Sequence, residues 1–161
     1  MPYPGMVLLE GTNLSEGRGT TRPFEIVGAP WLDPDSLAKR LEAQDLPGVR
    51  VRPCWFEPTF QKHAGETCGG VQWHVTDRET FRSVEAALAL FRAARDLAGG
   101  AFRWREPPYE YEMEKPPIDI LWGSTSLREG IDAGLDPHAI LAGTEGEIAS
   151  FAERAQAYLL H

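Results

Sequence analysis

The chain has 161 residues, of which 42% are apolar and 25% charged, proportions that fit one globular domain with its own core. Its formal net charge of −8 excludes the basic surface with which proteins neutralise the phosphates of duplex nucleic acid. No apolar run approaches the roughly 18 residues of a membrane-spanning helix. The first residues, MPYPGMVLLEGT, lack the basic start and the apolar length of a secretory signal, so we expect neither a span nor a signal peptide.

Strands and one helix are predicted at the start of the chain. The apolar run at residues 6–9 favours a short buried strand, and loose alternation at residues 24–32 favours a second one. Asp33 is a suitable N-cap, and proline follows it at the first helical position. Leu37 and Leu41 have the i, i+4 spacing of a buried stripe, which predicts a helix.

Two further strands flank a polar loop. Alternating valine and arginine predict a half-buried strand at residues 48–56. Residues 58–70 form a polar, glycine-containing loop, and the strand after it places Val71, Trp73 and Val75 on one face. Gln72 and His74 lie on the opposite face, which is therefore a candidate for function.

The second half of the chain is predominantly helical. An apolar stripe predicts a long helix at residues 83–100 that ends at two glycines. The segment 101–117 is aromatic, acidic and proline-rich, which indicates an extended surface segment, and IDILWGS is a short apolar element.

Two capping boxes indicate further helices near the carboxyl end, with a proline-initiated turn at Asp136 between them. One box pairs Ser126 with Glu129, and the other pairs Thr144 with Glu147. The second opens a terminal helix with a predicted inward face formed by Ile148, Phe151, Ala155 and Tyr158. The order of elements favours an α+β fold, a single domain with a mixed β-sheet covered by helices.

The glycine-rich stretch LLEGTNLSEGRGTTRPF, residues 8–24, is the least ordinary part of the sequence. It is not a P-loop, because five residues separate Gly11 from Gly17 and Arg18 follows. It is not a dinucleotide fingerprint either, because GRGTTR ends in Arg22 and no helix pattern follows.

Metal binding is also disfavoured. Cys54, His63, Cys68 and His74 lie close in sequence but match no common zinc spacing. No G-x-S-x-G elbow for a nucleophilic serine is present. The sequence therefore predicts no cofactor and no metal, and whether the two cysteines pair is left open.

Carboxylates are the remaining candidates for chemistry. Glu10 ends the first predicted strand, and Glu16 lies in the middle of the glycine-rich stretch, where Arg18 and Arg22 could hold a ligand carboxylate or tune Glu16. The alternative is a structural network of arginine and glutamate that only ties the loop down.

A second polar segment leaves a similar choice. Thr59, Lys62 and His63 could form a ligand-binding loop, together with Gln72 and His74 on the polar face of the next strand. The alternative is a surface loop, with His74 as a hydrogen-bonded core histidine.

Several motifs together resemble a bacterial family. They are LLEGTNLSEGRGTTRPFEIVGAPWLD, RPCWFEPTFQKHAGETCGGVQWHVTDR, IDILWGS and a terminal F–ER–YLL helix. In this order they resemble the carboxy-terminal domain of NamZ-type exo-β-N-acetylmuramidases, long catalogued as a domain of unknown function. The resemblance implies that residues 1–161 are that domain and that the Rossmann-like amino-terminal domain of the family is absent. It also implies a cell-envelope or secreted location for family members.

The resemblance implies roles for the polar residues. Glu10 and Glu16 would supply catalytic carboxylates, with partners expected from the missing domain. Arg18, Arg22 or Lys62 would bind the lactyl carboxylate of N-acetylmuramic acid. The remaining substrate-binding candidates are the polar residues Asn13, Thr20, Thr21, Thr59, His63, Gln72 and His74.

Two functions remain open at this stage. The first is the substrate-contacting domain of an exo-acting peptidoglycan glycosidase, with a peptidoglycan-derived sugar or muropeptide as ligand and little activity of its own. The alternative is a non-catalytic module that binds peptidoglycan fragments or a protein.

Overall fold

The structure is a computed structural model that describes residues 1–159. Leu160, the last residue of the YLL motif, and His161 lie outside the described residues. The chain begins with a short helix, α1 (Tyr3–Met6), and a 3₁₀ helix (Val7–Gly11), and then forms the first strand, β1 (Ile26–Ala29). The predicted strand at residues 6–9 is therefore wrong. Met6 and Leu9 are both fully buried, which is the i, i+3 spacing of a helix.

A three-stranded sheet forms the centre of the fold. Helix α2 (Pro34–Glu42) connects β1 to β2 (Val49–Phe56), and a long loop then leads to β3 (Cys68–Val75). β3 lies in the middle and is antiparallel to both neighbours. The sheet is therefore antiparallel rather than mixed. Because β3 inserts between β1 and β2, these two strands run in the same direction but do not pair.

Helices cover the sheet and complete the core. The Asp33 side chain accepts a hydrogen bond from the Ser36 amide, so the predicted N-cap of α2 is confirmed. Helix α2 packs on β2 and β3, and α3 (Ser83–Leu97) packs on α1 and α2. Leu88, Leu90 and Phe91 of α3 are fully buried. The α+β class and the single domain are confirmed.

Four short helices follow the irregular segment. They are α4 (Pro117–Trp122), α5 (Ser126–Asp132), α6 (Pro137–Ala142) and α7 (Glu145–Gln156). IDILWGS therefore lies on a helix and the turn after it. No helix in the described part of the chain is long and apolar enough to cross a bilayer.

Both capping boxes are wrong, although the helices that they predicted exist. Ser126 already lies inside α5 and accepts a hydrogen bond from the Trp122 indole at 2.9 Å. The Thr144 hydroxyl donates backwards to the Leu141 carbonyl at 2.8 Å instead of capping α7. The inward face predicted for α7 is also wrong, because no element within residues 1–159 covers its apolar side chains. None of its residues is buried, and Phe151 is 65% exposed.

Candidate functional site

The glycine-rich segment is packed into the fold and is not a solvated loop. Ser15 exchanges backbone hydrogen bonds with Gly28 of β1, at 2.8 and 3.0 Å. Gly17 and Gly19 have positive φ angles of 77° and 83°, a conformation that glycine adopts at little cost. A Cβ on Gly17 would lie 2.4 Å from the Ile26 carbonyl oxygen, and one on Gly19 would lie 2.7 Å from the Phe60 nitrogen. The glycines therefore permit close backbone contact on both sides.

The second polar segment docks on the first. Both the amide and the hydroxyl of Thr59 donate to the Gly19 carbonyl, at 3.0 and 2.9 Å. The His63 Nε2 atom lies 2.7 Å from the Asn13 carbonyl oxygen. These contacts join residues that are 40 and 50 positions apart in sequence.

Lys62 connects the two segments through its ammonium group. Its Nζ donates to the Leu9 and Leu14 carbonyls at 2.8 and 2.9 Å and to Glu16 Oε2 at 3.0 Å. All three ammonium protons are thereby used. Burial lowers the pKa of Lys62, and the nearby charge of Glu16 opposes that shift while the charge of Arg105 adds to it.

Glu10 lies beside this contact and accepts two strong hydrogen bonds. Arg18 Nη2 donates to one carboxylate oxygen at 2.6 Å, and the Tyr109 hydroxyl donates to the other at 2.9 Å. Burial by itself would raise the pKa of Glu10, but these bonds and the neighbouring cations outweigh it, so the pKa lies below its usual value. Burial and the bond to Glu10 raise the pKa of Tyr109 to about 12.

Arg18 bridges the two glutamates. Its Nε lies 3.3 Å from Glu16 Oε1, and its guanidinium carbon lies 5.2 Å from the centre of the Phe24 ring. Glu16 is only 3% exposed, so two cations compensate a buried charge. We call Glu10, Glu16, Arg18, Lys62 and Tyr109 the charged cluster.

A cleft of about 400 Å³ opens beside the charged cluster and shares Lys62 with it. Gln61 and His63, on either side of Lys62, have positive φ angles of 70° and 59°, which is strained for residues with a Cβ and is common at functional sites. Arg105 also lines the cleft, and its guanidinium lies 5.6 Å from the centre of the Tyr109 ring. The complete lining is Thr12, Asn13, Gln61, Lys62, His63 and Arg105.

Most of the sequence-predicted residues lie in one of two places. The charged cluster contains Glu10, Glu16, Arg18 and Lys62, and Asn13 and His63 line its cleft. Three others, Arg22, Gln72 and His74, line a different depression of about 390 Å³ beside the amino terminus.

Several of the predicted binding residues have partners within the chain. Arg22 pairs with Glu25 at 3.0 Å, and the side-chain oxygen Oε1 of Gln72 accepts a hydrogen bond from Arg52 at 2.6 Å. Thr20 donates to the Gly17 carbonyl at 2.6 Å. The exposed Thr21 lines neither depression.

Residues of the irregular segment complete the site, and sequence reasoning missed them. The Arg105 amide donates to the Gly11 carbonyl at 2.9 Å, and Thr12 pairs with Trp104, so the segment lies along the glycine-rich stretch. This places Arg105 at the cleft and Tyr109 against Glu10. The mixture of aromatic and charged residues in this irregular segment is the sequence feature that could have indicated a binding role. From the sequence alone, we predict only an extended surface segment there.

The cysteine and histidine residues considered as metal ligands do not form a cluster. In residues 1–159, no three side chains of His, Cys, Asp or Glu are placed to hold a metal ion. Cys54 and Cys68 are free thiols, and burial raises the pKa of Cys68 to about 11.

The fold and the cleft define an α+β domain with two neighbouring carboxylates, buried Glu16 and half-buried Glu10, beside a polar cleft. A family model described as "Exo-beta-N-acetylmuramidase NamZ, C-terminal" matches residues 1–161, and the chain belongs to this family. The resemblance stated from the sequence motifs is therefore confirmed.

Known relatives agree with this assignment. The chain is 38% identical over 160 residues to the peptidoglycan β-N-acetylmuramidase NamZ of Bacillus subtilis (strain 168). The match covers 99% of this chain and 36% of that protein. Crystal structures of two DUF1343 family proteins from Bacteroides fragilis NCTC 9343 share the fold, with TM-scores of 0.82 and 0.68 at 24% and 22% identity. Each covers 99% of this chain, which spans 41% and 40% of theirs.

Proposed function

We propose that this chain forms one wall of the active site of an exo-acting peptidoglycan glycosidase that removes β-linked N-acetylmuramic acid. An amino-terminal domain of the kind found in the family would form the other wall. The observation that carries the proposal is the carboxylate pair Glu10 and Glu16, held by Arg18 and Lys62 beside an open cleft. The 38% identity to a peptidoglycan β-N-acetylmuramidase supports this choice of substrate.

The pKa of Glu10 decides which catalytic role it can take. Glycosidases generally use one carboxylic acid that protonates the leaving group and one carboxylate that acts as base or nucleophile. The pKa of Glu10 is lowered, so the group is ionised near neutral pH and is unsuited to the role of acid. We assign Glu10, with Glu16, to stabilising positive charge in the transition state, and the proton donor to the other domain.

Residues on the loop after β2 are the best candidates for sugar hydroxyl contacts. The Asn13 side chain is already engaged within the chain, because its amide donates to the Ala101 carbonyl and its oxygen accepts from the Arg103 amide, both at 2.9 Å. Gln61 and His63 line the cleft, and their amide and ring nitrogen atoms are donors and acceptors that sugar hydroxyls can use.

Turnover of a chromogenic β-N-acetylmuramide tests the division of the site. The chain alone would be compared with a two-domain version that supplies the amino-terminal domain. We expect turnover only from the two-domain version, because the chain alone lacks the proton donor. Equal turnover by the chain alone would contradict the divided site. Muropeptide binding without turnover by either form would replace the proposal with a non-catalytic binding module.

Substitutions in the two-domain version test the glutamates. Glu10→Gln and Glu16→Gln should each lower kcat by about 100-fold or more, because each removes a fixed negative charge beside the reacting sugar. The control is Glu42→Gln at an exposed position of α2, which should leave kcat unchanged. Unchanged rates in both cluster variants would make the charged cluster purely structural.

A further inference from the structure

Arg105 lines the cleft, and within residues 1–159 its guanidinium has no carboxylate partner. Arg18 and Lys62 are engaged with Glu10 and Glu16, and Arg22 is engaged with Glu25. Among the described residues, the Arg105 side chain forms neither an ion pair nor a hydrogen bond, although it is exposed and lines the cleft. The free guanidinium edges of Arg105 are therefore available to a ligand.

The electrostatics of the cleft favour an anion beside Arg105. The charge of Arg105 adds to the effect of burial in lowering the pKa of Lys62, so the two cations repel each other across the cleft wall. The negative charge of Glu16 is already shared by Lys62 and Arg18. An arriving carboxylate would be attracted by Arg105 and would relieve the repulsion.

The position of Arg105 is prepared before a ligand arrives. Its backbone amide is bonded to the Gly11 carbonyl at 2.9 Å, and its guanidinium lies over the ring of Tyr109. The Tyr109 hydroxyl is bonded in turn to Glu10. Stacking on an aromatic face leaves the planar N–H fork of arginine open for a bidentate contact and lowers the entropy lost on binding.

We propose that Arg105 binds the lactyl carboxylate of the substrate and so distinguishes N-acetylmuramic acid from N-acetylglucosamine, which lacks that group. This inference rests on the proposed function and identifies the residue that determines its specificity. It replaces the assignment of this role to Arg18, Arg22 or Lys62, whose charged groups have partners within the chain.

A comparison of two substrates in the two-domain version isolates this contact. One is the chromogenic β-N-acetylmuramide, and the other is the same glycoside with its lactyl carboxylate converted to the neutral amide. Arg105→Ala should lower kcat/KM about 10- to 100-fold for the carboxylate substrate, the usual effect of losing a charge-assisted hydrogen bond, and leave the amide nearly unchanged. Arg105→Lys should recover part of the preference for the carboxylate substrate over the amide, because lysine keeps the charge but loses the bidentate geometry.

The matched control is Arg50→Ala, at an exposed arginine of β2 that does not line the cleft. It should change kcat/KM for neither substrate. An equal loss on both substrates in Arg105→Ala, or no loss on either, would overturn the inference.

Binding to the chain itself separates this inference from the proposed function. Titration with free N-acetylmuramic acid and with N-acetylglucosamine, followed by amide chemical shifts, should show tighter binding of the acid and loss of that preference in Arg105→Ala. If the two-domain version does not hydrolyse the glycoside but the preference is present, the proposed function fails and the carboxylate site stands. If hydrolysis occurs and Arg105→Ala changes neither the preference for the carboxylate substrate nor the preference for free N-acetylmuramic acid, the carboxylate site fails and the function stands.

Discussion

The charged cluster and helix α7 reverse the usual relation between polarity and burial. In the charged cluster, Glu16 is 3% exposed, and cations on two sides compensate its charge. In α7, Ile148 and Phe151 are 62% and 65% exposed although both are strongly apolar. The difference lies in the partners that each region has. Carbonyls, cations and a tyrosine hydroxyl from three separate segments converge on the cluster, whereas no surface of residues 1–159 covers the apolar side of α7.

This comparison teaches that the residue type alone does not place a side chain inside or outside. A buried charge is tolerated when hydrogen bonds and opposite charges replace water. An apolar helix stripe is buried only when another element packs against it. Substitutions in the two regions should therefore have effects opposite to those expected from hydrophobicity.

Within the charged cluster and helix α7, replacement of Lys62 should produce the largest effect on stability. Lys62→Met removes the cation closest to Glu16 and leaves the Leu9 and Leu14 carbonyls without their donor. Breaking one side of a buried pair costs about 3 kcal/mol, so we expect a loss of that order in the free energy of unfolding, measured by urea denaturation. Lys39→Met, at an exposed position of α2, is the control. A loss below about 1 kcal/mol in Lys62→Met would show that the charged cluster contributes little to stability.

Glu10 should produce a smaller effect that depends on pH. Its pKa in the folded chain lies below the usual 4.5, so its contribution to stability is complete above that pH and is lost as the pH falls through the folded-state pKa. Near pH 7 we expect the free energy of unfolding of Glu10→Gln to be about 1 kcal/mol lower than that of the unmodified chain. The difference should shrink as the pH falls below 4.5.

Urea denaturation of both proteins across this pH range measures the Glu10 contribution. Glu153→Gln, at an exposed position of α7, controls for the general loss of a carboxylate. A difference that stays constant with pH would mean that the ionised form of Glu10 is not what stabilises the fold.

The smallest effect should come from the apolar side of α7. Phe151→Ala should change the free energy of unfolding by less than about 0.5 kcal/mol, because an exposed ring loses little contact on truncation. Phe91→Ala in α3 is the matched core substitution, since Phe91 is fully buried, and it should cost about 3–5 kcal/mol. Similar losses at both positions would show that α7 is packed within this chain and would remove the contrast between the two regions.

Much of the fold could be predicted from the sequence because the signals are local. The Asp33 cap and the stripe of Leu37 and Leu41 define α2 within a few residues. Alternation likewise predicts β2 and β3. The prediction of a strand at residues 6–9 was wrong because a short apolar run has no distinguishing period. Such a run is compatible with a buried helix as well as with a buried strand.

About half of the candidate site could be predicted. The polar composition of residues 10–22 and 59–63 indicated two ligand loops, and the structure packs them against each other. Gln72 and His74 line a different depression, because alternation specifies the face of a strand but not the depression that the face lines.

The sequence by itself determined the helices with clear caps and stripes, the alternating strands, and the glycines that permit close backbone contact. Those features depend on neighbours within one or two turns or along one strand. The tertiary structure alone decided that Lys62 and Arg18 neutralise Glu16 and that, within residues 1–159, Arg105 reaches the cleft without an ion-pair partner and α7 stays uncovered. Each of these depends on contacts between segments distant in sequence, and such contacts follow from how the whole core packs.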